Sequence, residues 1–143
     1  MAQRYYPLDA LTKFGEDVTL TATGNFQIGG NDVVLKIGKG RQDMALVVDV
    51  SALYVAGADE LYDILLQGCS VSTFSGQPIE NLAHLELGHT TVRTGGARTL
   101  PIGRYAIPVS NDLLGEFEYV RLRLVAAGAT KSITCTAWLS ERL

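Results

Sequence analysis

Apolar and polar residues alternate one by one along most of the chain from Asp17 onward. Because successive side chains of a β-strand point to opposite faces of a sheet, this period of two predicts strands. The segments with the clearest alternation are Val18–Thr23, Val33–Ile37, Met44–Val50, Leu61–Gln67, Ala83–Leu87, Tyr105–Val109, Tyr119–Leu124 and Ile133–Leu139. Residues typical of turns (Gly, Asn, Asp, Ser and Pro) separate these segments. The pattern therefore predicts about eight short strands.

Eight short strands without a helical stripe predict an all-β protein, a single-domain β-sandwich of the jelly-roll type over residues 17–143. Residues 1–16 show no alternation and are predicted to form an N-terminal arm. Asn25–Ile28 is expected to continue the first strand after a kink at Gly24. The Gly29–Asp32 cluster is expected to form a turn.

One side of the alternation is apolar in most segments, and it predicts the core between the two sheets. The residues expected to face inward are Met44, Leu46, Val48, Ile64, Leu66, Ile107, Val120, Leu122, Leu124, Ile133, Cys135 and Ala137. Cys69 and Cys135 both lie in apolar segments. They are expected to be reduced, buried thiols, because a free cysteine behaves as a small hydrophobic residue.

The composition narrows the classes of protein. With 143 residues, 47% of them hydrophobic and 19% charged, the chain has the size and apolar content of one folded domain. A net charge of −3 argues against a nucleic-acid-binding protein, which usually carries a positive field. The first residues lack the apolar stretch of a signal peptide, and no segment has the length of a membrane helix.

The sequence does not contain the residue spacings of common catalytic and cofactor-binding motifs. Gly38–Arg41 lacks the spacing of a phosphate-binding loop and is expected to be a hairpin loop. His84 and His89, the two histidines, do not have the spacing of a paired metal site and are expected to face solvent. No pair of residues is placed as nucleophile and base. We therefore expect no enzyme activity, no metal and no cofactor.

Several residues are candidates for contacts with a partner protein, because arginine and tyrosine are enriched in protein interfaces. They are Arg4, Tyr5 and Tyr6 in the arm and Arg121 and Arg123 on one strand face. Lys39 and Arg41 in one loop are further candidates, because their positive charges could reach an acidic partner surface. The alternatives are an arm that covers its own domain and an ordinary solvated or charge-paired strand face. For Trp138 two interpretations stay open, an exposed platform for a sugar ring or a residue beside the core.

The order of several segments resembles the phage capsid cement (decoration) proteins of the type found on a short-tailed Bordetella phage. The resemblance runs through Asp9–Leu11, Val18–Thr23, Leu35–Arg41, Met44–Val50, Gly103–Pro108, Tyr119–Leu122, Ala127–Thr130 and Ser132–Leu139. It implies a jelly-roll protein without enzyme activity that binds outside a capsid shell. None of these segments marks a contact residue of the family.

The implied partners are the major capsid protein and further copies of the chain, as a homodimer or homotrimer, with neither nucleic acid nor a membrane involved. The implied location is the outer surface of the virion capsid, after synthesis in the host cytoplasm. The alternative function is a carbohydrate- or receptor-binding β-sandwich of a virion appendage, for which Trp138 would be the platform.

Overall fold

A computed structural model describes residues 11–39, 43–89, 91–92, 102–110 and 117–141. Its strands are β1 Lys13–Leu20, β2 Gly24–Asn25, β3 Gln27–Ile28, β4 Asn31–Asp32, β5 Val34–Lys36, β6 Asp43–Leu53, β7 Leu61–Cys69, β8 Glu80–Gly88, β9 Gly103–Ser110, β10 Tyr119–Ala127 and β11 Ile133–Glu141. The prediction of an all-β fold is confirmed. Within these residues no helix has the length and apolar character needed to cross a membrane.

Two antiparallel sheets face each other across one core. The four-stranded sheet has the order β1-β11-β6-β9, and the five-stranded sheet has the order β2-β10-β7-β8 with β5 also paired to β10. The short β3 and β4 pair with each other. Residues of both larger sheets form one continuous apolar cluster, so the two sheets make a sandwich.

The alternation predicted the core correctly. Ten of the twelve residues expected to face inward have no exposed surface, while Met44 and Ile107 are partly buried against the same cluster. Both cysteines are free and buried, as expected. Burial raises the pKa of the Cys135 thiol to about 12, so it stays neutral at physiological pH.

The first strand begins at Lys13, four residues before the start that the alternation indicates. Its pairing with β11 is irregular on both sides of Gly15, and Asp17 has a positive φ of 48°. Such bulges break the period of two and hide the start of the strand. Phe14 is fully buried, so residues 13–16 belong to the sandwich and not to an arm. Residues 1–10 lie outside the described part of the chain.

Two further expectations about connections are wrong. Asn25–Ile28 does not continue β1, because β2 pairs with β10 of the other sheet and β3 forms a separate hairpin with β4. The expected turn is confirmed for Gly29 and Gly30, which both have positive φ, as a tight hairpin turn requires, whereas Asn31 and Asp32 form β4. Gly38 and Lys39 do not belong to a hairpin loop, since β5 and β6 lie in different sheets. Alternation does not encode which sheet a strand joins.

Candidate contact surface

Three residues of β10 project from the outer face of the five-stranded sheet: Tyr119, Arg121 and Arg123. They alternate with three fully buried residues of the same strand, as the sequence predicts. We call Arg121, Arg123 and the residues that hold them, Gln67, Phe74, Asn25 and Asp32, the arginine face. Neither arginine is fully exposed.

Arg121 is held from two sides. Its guanidinium carbon lies 4.3 Å from the centre of the Phe74 ring, and its Nε donates a hydrogen bond to Gln67 Oε1 at 2.9 Å. Gln67 is its direct cross-strand partner on β7. Burial lowers the pKa of Arg121 below its ordinary value, and the nearby positive charge of Arg123 adds to this shift.

Arg123 is held by a chain of amide and carboxylate groups. Its Nη1 donates to Asn25 Oδ1 at 3.0 Å, and Asn25 Nδ2 donates to Asp32 Oδ2 at 2.8 Å. Gln27 Nε2 donates to the other oxygen of Asp32 at 2.8 Å. The hydrogen bonds from Gln27 and Asn25 lower the pKa of Asp32, with smaller contributions from the charges of Arg121 and Arg123. Asp32 is thus a nearby negative charge to both arginines.

Of the other candidate contacts, the structure describes Lys39 alone. Lys39 is exposed and follows Gly38, whose amide donates to the carbonyl of Glu118, just before β10 begins. Arg4, Tyr5, Tyr6 and Arg41 lie outside the described residues, so their proposed contacts stay predictions. Sequence reasoning missed Gln67 and Asn25, because only the cross-strand register places them beside the arginines. It also missed Phe74, which lies in the connection between β7 and β8 and meets Arg121 only in the folded chain.

A second group of polar side chains lies on the five-stranded sheet, near its edge strand β8. His84 Nε2 lies 2.9 Å from Asp63 Oδ1, and His84 Nδ1 lies 3.7 Å from Glu86 Oε1. His84 faces solvent, as expected, with 43% of its side chain exposed. Within the described residues these three side chains form the one group able to offer three ligands to a metal ion. The sequence did not reveal it, because Asp63 comes from the neighbouring strand.

The outer face of the four-stranded sheet decides between the two interpretations of Trp138. The residue is 2% exposed and forms a small apolar cluster with Ala45 and Val47, so the ring is no exposed sugar platform. The guanidinium carbon of Arg104 lies 5.3 Å from the ring centre. Arg104 also binds Asp49 through two hydrogen bonds of 2.6 and 2.8 Å.

Comparison with known proteins adds no relative to this picture. No protein-family model matches the chain, and searches of curated proteins and of solved structures find no match. The resemblance to capsid cement proteins therefore rests on the sequence segments alone and stays a prediction.

Proposed function

We propose that this chain is a viral structural protein, a capsid cement protein that binds the outside of an assembled phage head and bridges major capsid protein subunits. The observation that carries the proposal is the arginine face. Its two partly buried guanidinium groups project from β10 of the five-stranded sheet, on the outside of the sandwich.

The arginines of this face have restraining contacts within the chain itself. Phe74 and Gln67 restrain Arg121, and Asn25 restrains Arg123. Ordering a long side chain at an interface costs about 0.5–1.5 kcal/mol, so restraint in the free protein reduces that cost. Arginine is also among the residues that contribute most to binding energy in interfaces. Both points favour a contact role for this face.

The charge of the face indicates an acidic partner. Burial lowers the pKa of Arg121 most, and repulsion by the nearby charge of Arg123 lowers it further, while the single charge of Asp32 offsets only part of the two positive charges. A carboxylate of a capsid subunit would relieve this repulsion and form charge-assisted hydrogen bonds. Because the arginines are partly open to solvent, the attraction should weaken as salt is added.

The strand order supports the jelly-roll part of the proposal. If β2 and β5 are taken as two pieces of one strand, interrupted by the β3–β4 hairpin, the two larger sheets have eight strands in the described part of the chain. The first then pairs with the eighth, the second with the seventh, the third with the sixth and the fourth with the fifth. We infer a jelly roll from this order, a fold common in viral capsid proteins.

A cement role needs only modest affinity at each contact. A protein that binds the assembled shell better than free capsid subunits stabilises the shell by mass action. Many copies, or a homodimer or homotrimer with several contacts, add avidity. The receptor-binding alternative was suggested by the same β-sandwich fold and by Trp138, and the burial of Trp138 removes the proposed platform for a sugar ring.

The test uses expanded, undecorated heads built from the major capsid protein encoded in the same genome. Wild-type chain should co-sediment with them and raise their melting temperature. Arg121→Ala and Arg123→Ala should each bind about 30-fold more weakly, which corresponds to a loss of ~2 kcal/mol at an interface arginine.

Arg104→Ala is the matched control, because it removes an arginine from the other outer face. Its binding should equal that of the wild type. Failure of the wild-type chain to bind or stabilise the heads would contradict the cement function. Normal binding of both arginine variants would exclude the arginine face as the contact. Arg4→Ala, Tyr6→Ala and Arg41→Ala test the arm and the loop in the same assay.

A further inference from the structure

Asp63, His84 and Glu86 project together from the outer face of the five-stranded sheet. His84 and Glu86 are two residues apart on β8 and therefore share a face, and Asp63 on β7 is the direct cross-strand partner of Glu86. One nitrogen and two carboxylate oxygens from these side chains all lie within 4.8 Å of one another. Backbone pairing of two strands thus fixes the relative positions of all three donors.

We propose that Asp63, His84 and Glu86 bind a divalent first-row transition metal ion, with Zn²⁺ as the representative ion. Zinc binds histidine nitrogen and carboxylate oxygen at about 2.0–2.2 Å, so its ligands lie about 3–3.5 Å apart. The 2.9 Å separation of His84 Nε2 and Asp63 Oδ1 needs only small side-chain rotations to reach this geometry. An imidazole in the donor set favours Zn²⁺, Co²⁺ or Ni²⁺ over Ca²⁺ and Mg²⁺, which prefer oxygen ligands.

The surroundings of the three donors suit a bound cation. The two carboxylate side chains lie beside one imidazole on the same face of the sheet. Leu65 of β7 is the direct cross-strand partner of His84. On the opposite side of β7, Val125 of β10 is the direct cross-strand partner of Asp63. Both of these neighbours are apolar.

The site is accessible from the open side of the sandwich. In the described part of the chain, β8 is the last strand of its sheet. A groove of about 480 Å³ runs between β8 and β9, and its lining includes His84, Glu86 and Arg104. Arg104 is held by Asp49 through two hydrogen bonds. Two of the three proposed ligands, His84 and Glu86, line this groove. An ion bound by three protein ligands there would keep a coordination position for water or for a ligand, as in open zinc sites.

The metal site goes beyond the proposed cement function and does not depend on it. Metal binding is measured on the free chain, and capsid binding is measured on undecorated heads. The test is calorimetric titration of the untagged, metal-depleted full chain with Zn²⁺, and with Co²⁺ for its visible absorption. We expect one ion per chain. His84→Ala should weaken binding at least ~10-fold, the lower end of what changes around metal sites typically cost.

His89→Ala is the matched control, because it removes the other histidine, whose Nδ1 accepts a hydrogen bond from the Thr91 amide. It should bind Zn²⁺ like the wild type. Asp63→Asn and Glu86→Gln, which keep the shape of each side chain, should each weaken binding. Circular dichroism shows whether each variant is folded.

Wild-type chain that binds neither ion at micromolar to millimolar concentration would overturn the proposal. Equal affinity of the wild type and the folded His84→Ala variant would overturn it as well, as would equal losses in His84→Ala and His89→Ala. Cobalt absorption that His84→Ala abolishes and His89→Ala retains would support it. Neither cysteine lies in the site, and both are buried, so thiolate ligands do not complicate the reading.

Discussion

On the outer face of the four-stranded sheet, Trp138, Val47 and Ala45 are almost completely buried. On the outer face of the five-stranded sheet, Arg121 and Arg123 remain partly open to solvent. Both faces come from the same alternating pattern, in which every second residue points away from the core. The first face carries an apolar cluster beside the ion pair of Arg104 and Asp49, whereas the arginine face presents charge and hydrogen-bonding groups.

This difference predicts that the apolar cluster contributes mainly to stability and that the arginine face contributes mainly to recognition of a partner. Removing apolar surface from a buried face should lower the free energy of unfolding, because each buried methylene contributes about 0.8 kcal/mol. Changes at partly exposed polar residues should alter stability by about 0.5 kcal/mol or less, unless a specific contact is lost. A substitution on either face therefore tests which role that face has.

The largest effect is expected for Trp138→Ala, which should lower the free energy of unfolding by about 3–5 kcal/mol. Trp138→Phe is the control. It keeps most of the buried ring area and removes the indole N–H, which lacks a hydrogen-bond partner in the described structure, so it should lose much less. Urea unfolding followed by circular dichroism measures both variants without tryptophan fluorescence. A loss below 1 kcal/mol for Trp138→Ala would show that this outer face does not contribute to stability.

A smaller effect, about 1 kcal/mol each, is expected for Arg104→Ala and Arg121→Ala, since each loses a contact with an aromatic ring and a hydrogen-bond partner. Added salt should distinguish them. Arg104 binds the carboxylate of Asp49, so its contribution should shrink as salt screens the pair.

Arg121 binds the neutral Gln67 and is repelled by Arg123, so its contribution should stay constant or grow with salt. Urea unfolding of the wild type and both variants at low and high sodium chloride measures this. The same salt response in both variants would contradict the distinction between the two faces.

The smallest effect is expected for Asp32→Asn. Hydrogen bonds from Gln27 and Asn25 lower the pKa of Asp32 in the folded chain, so its contribution is present above the unfolded pKa of about 4. It is lost as the pH falls through the still lower folded pKa. The wild type should therefore be the more stable of the two at pH 7, and the difference should narrow toward pH 3.

Carboxyl chemical shifts of Asp32 in a pH titration by NMR check the direction of its pKa. A folded pKa at or above the ordinary value would contradict the prediction. So would a stability difference between wild type and variant that is the same at both pH values.

Much of the fold was predictable because strand formation leaves a local signal. Val120, Leu122 and Leu124 alternate with polar residues, and all three are fully buried. The start of β1 was missed because the irregular pairing around Gly15 interrupts that signal. The placement of Arg121 and Arg123 on one outer face followed from the same alternation.

The side chains that contact the arginines and His84 were not predictable, because they come from distant segments of the chain. Asn25 is 98 residues from Arg123, and Asp63 is 21 residues from His84. A shift of one residue in strand register would move each side chain to the opposite face. The burial of Trp138 on an outer face was equally hidden, since alternation tells the side of a strand and not what covers it.

The sequence by itself determined that the chain forms strands and which residues enter the core, because a period of two is a local property of an extended backbone. Only the tertiary structure decided which strands pair and in which register. Pairing joins segments far apart in the chain, and it brings Asp63, His84 and Glu86 together and places Gln67 and Asn25 beside the two arginines.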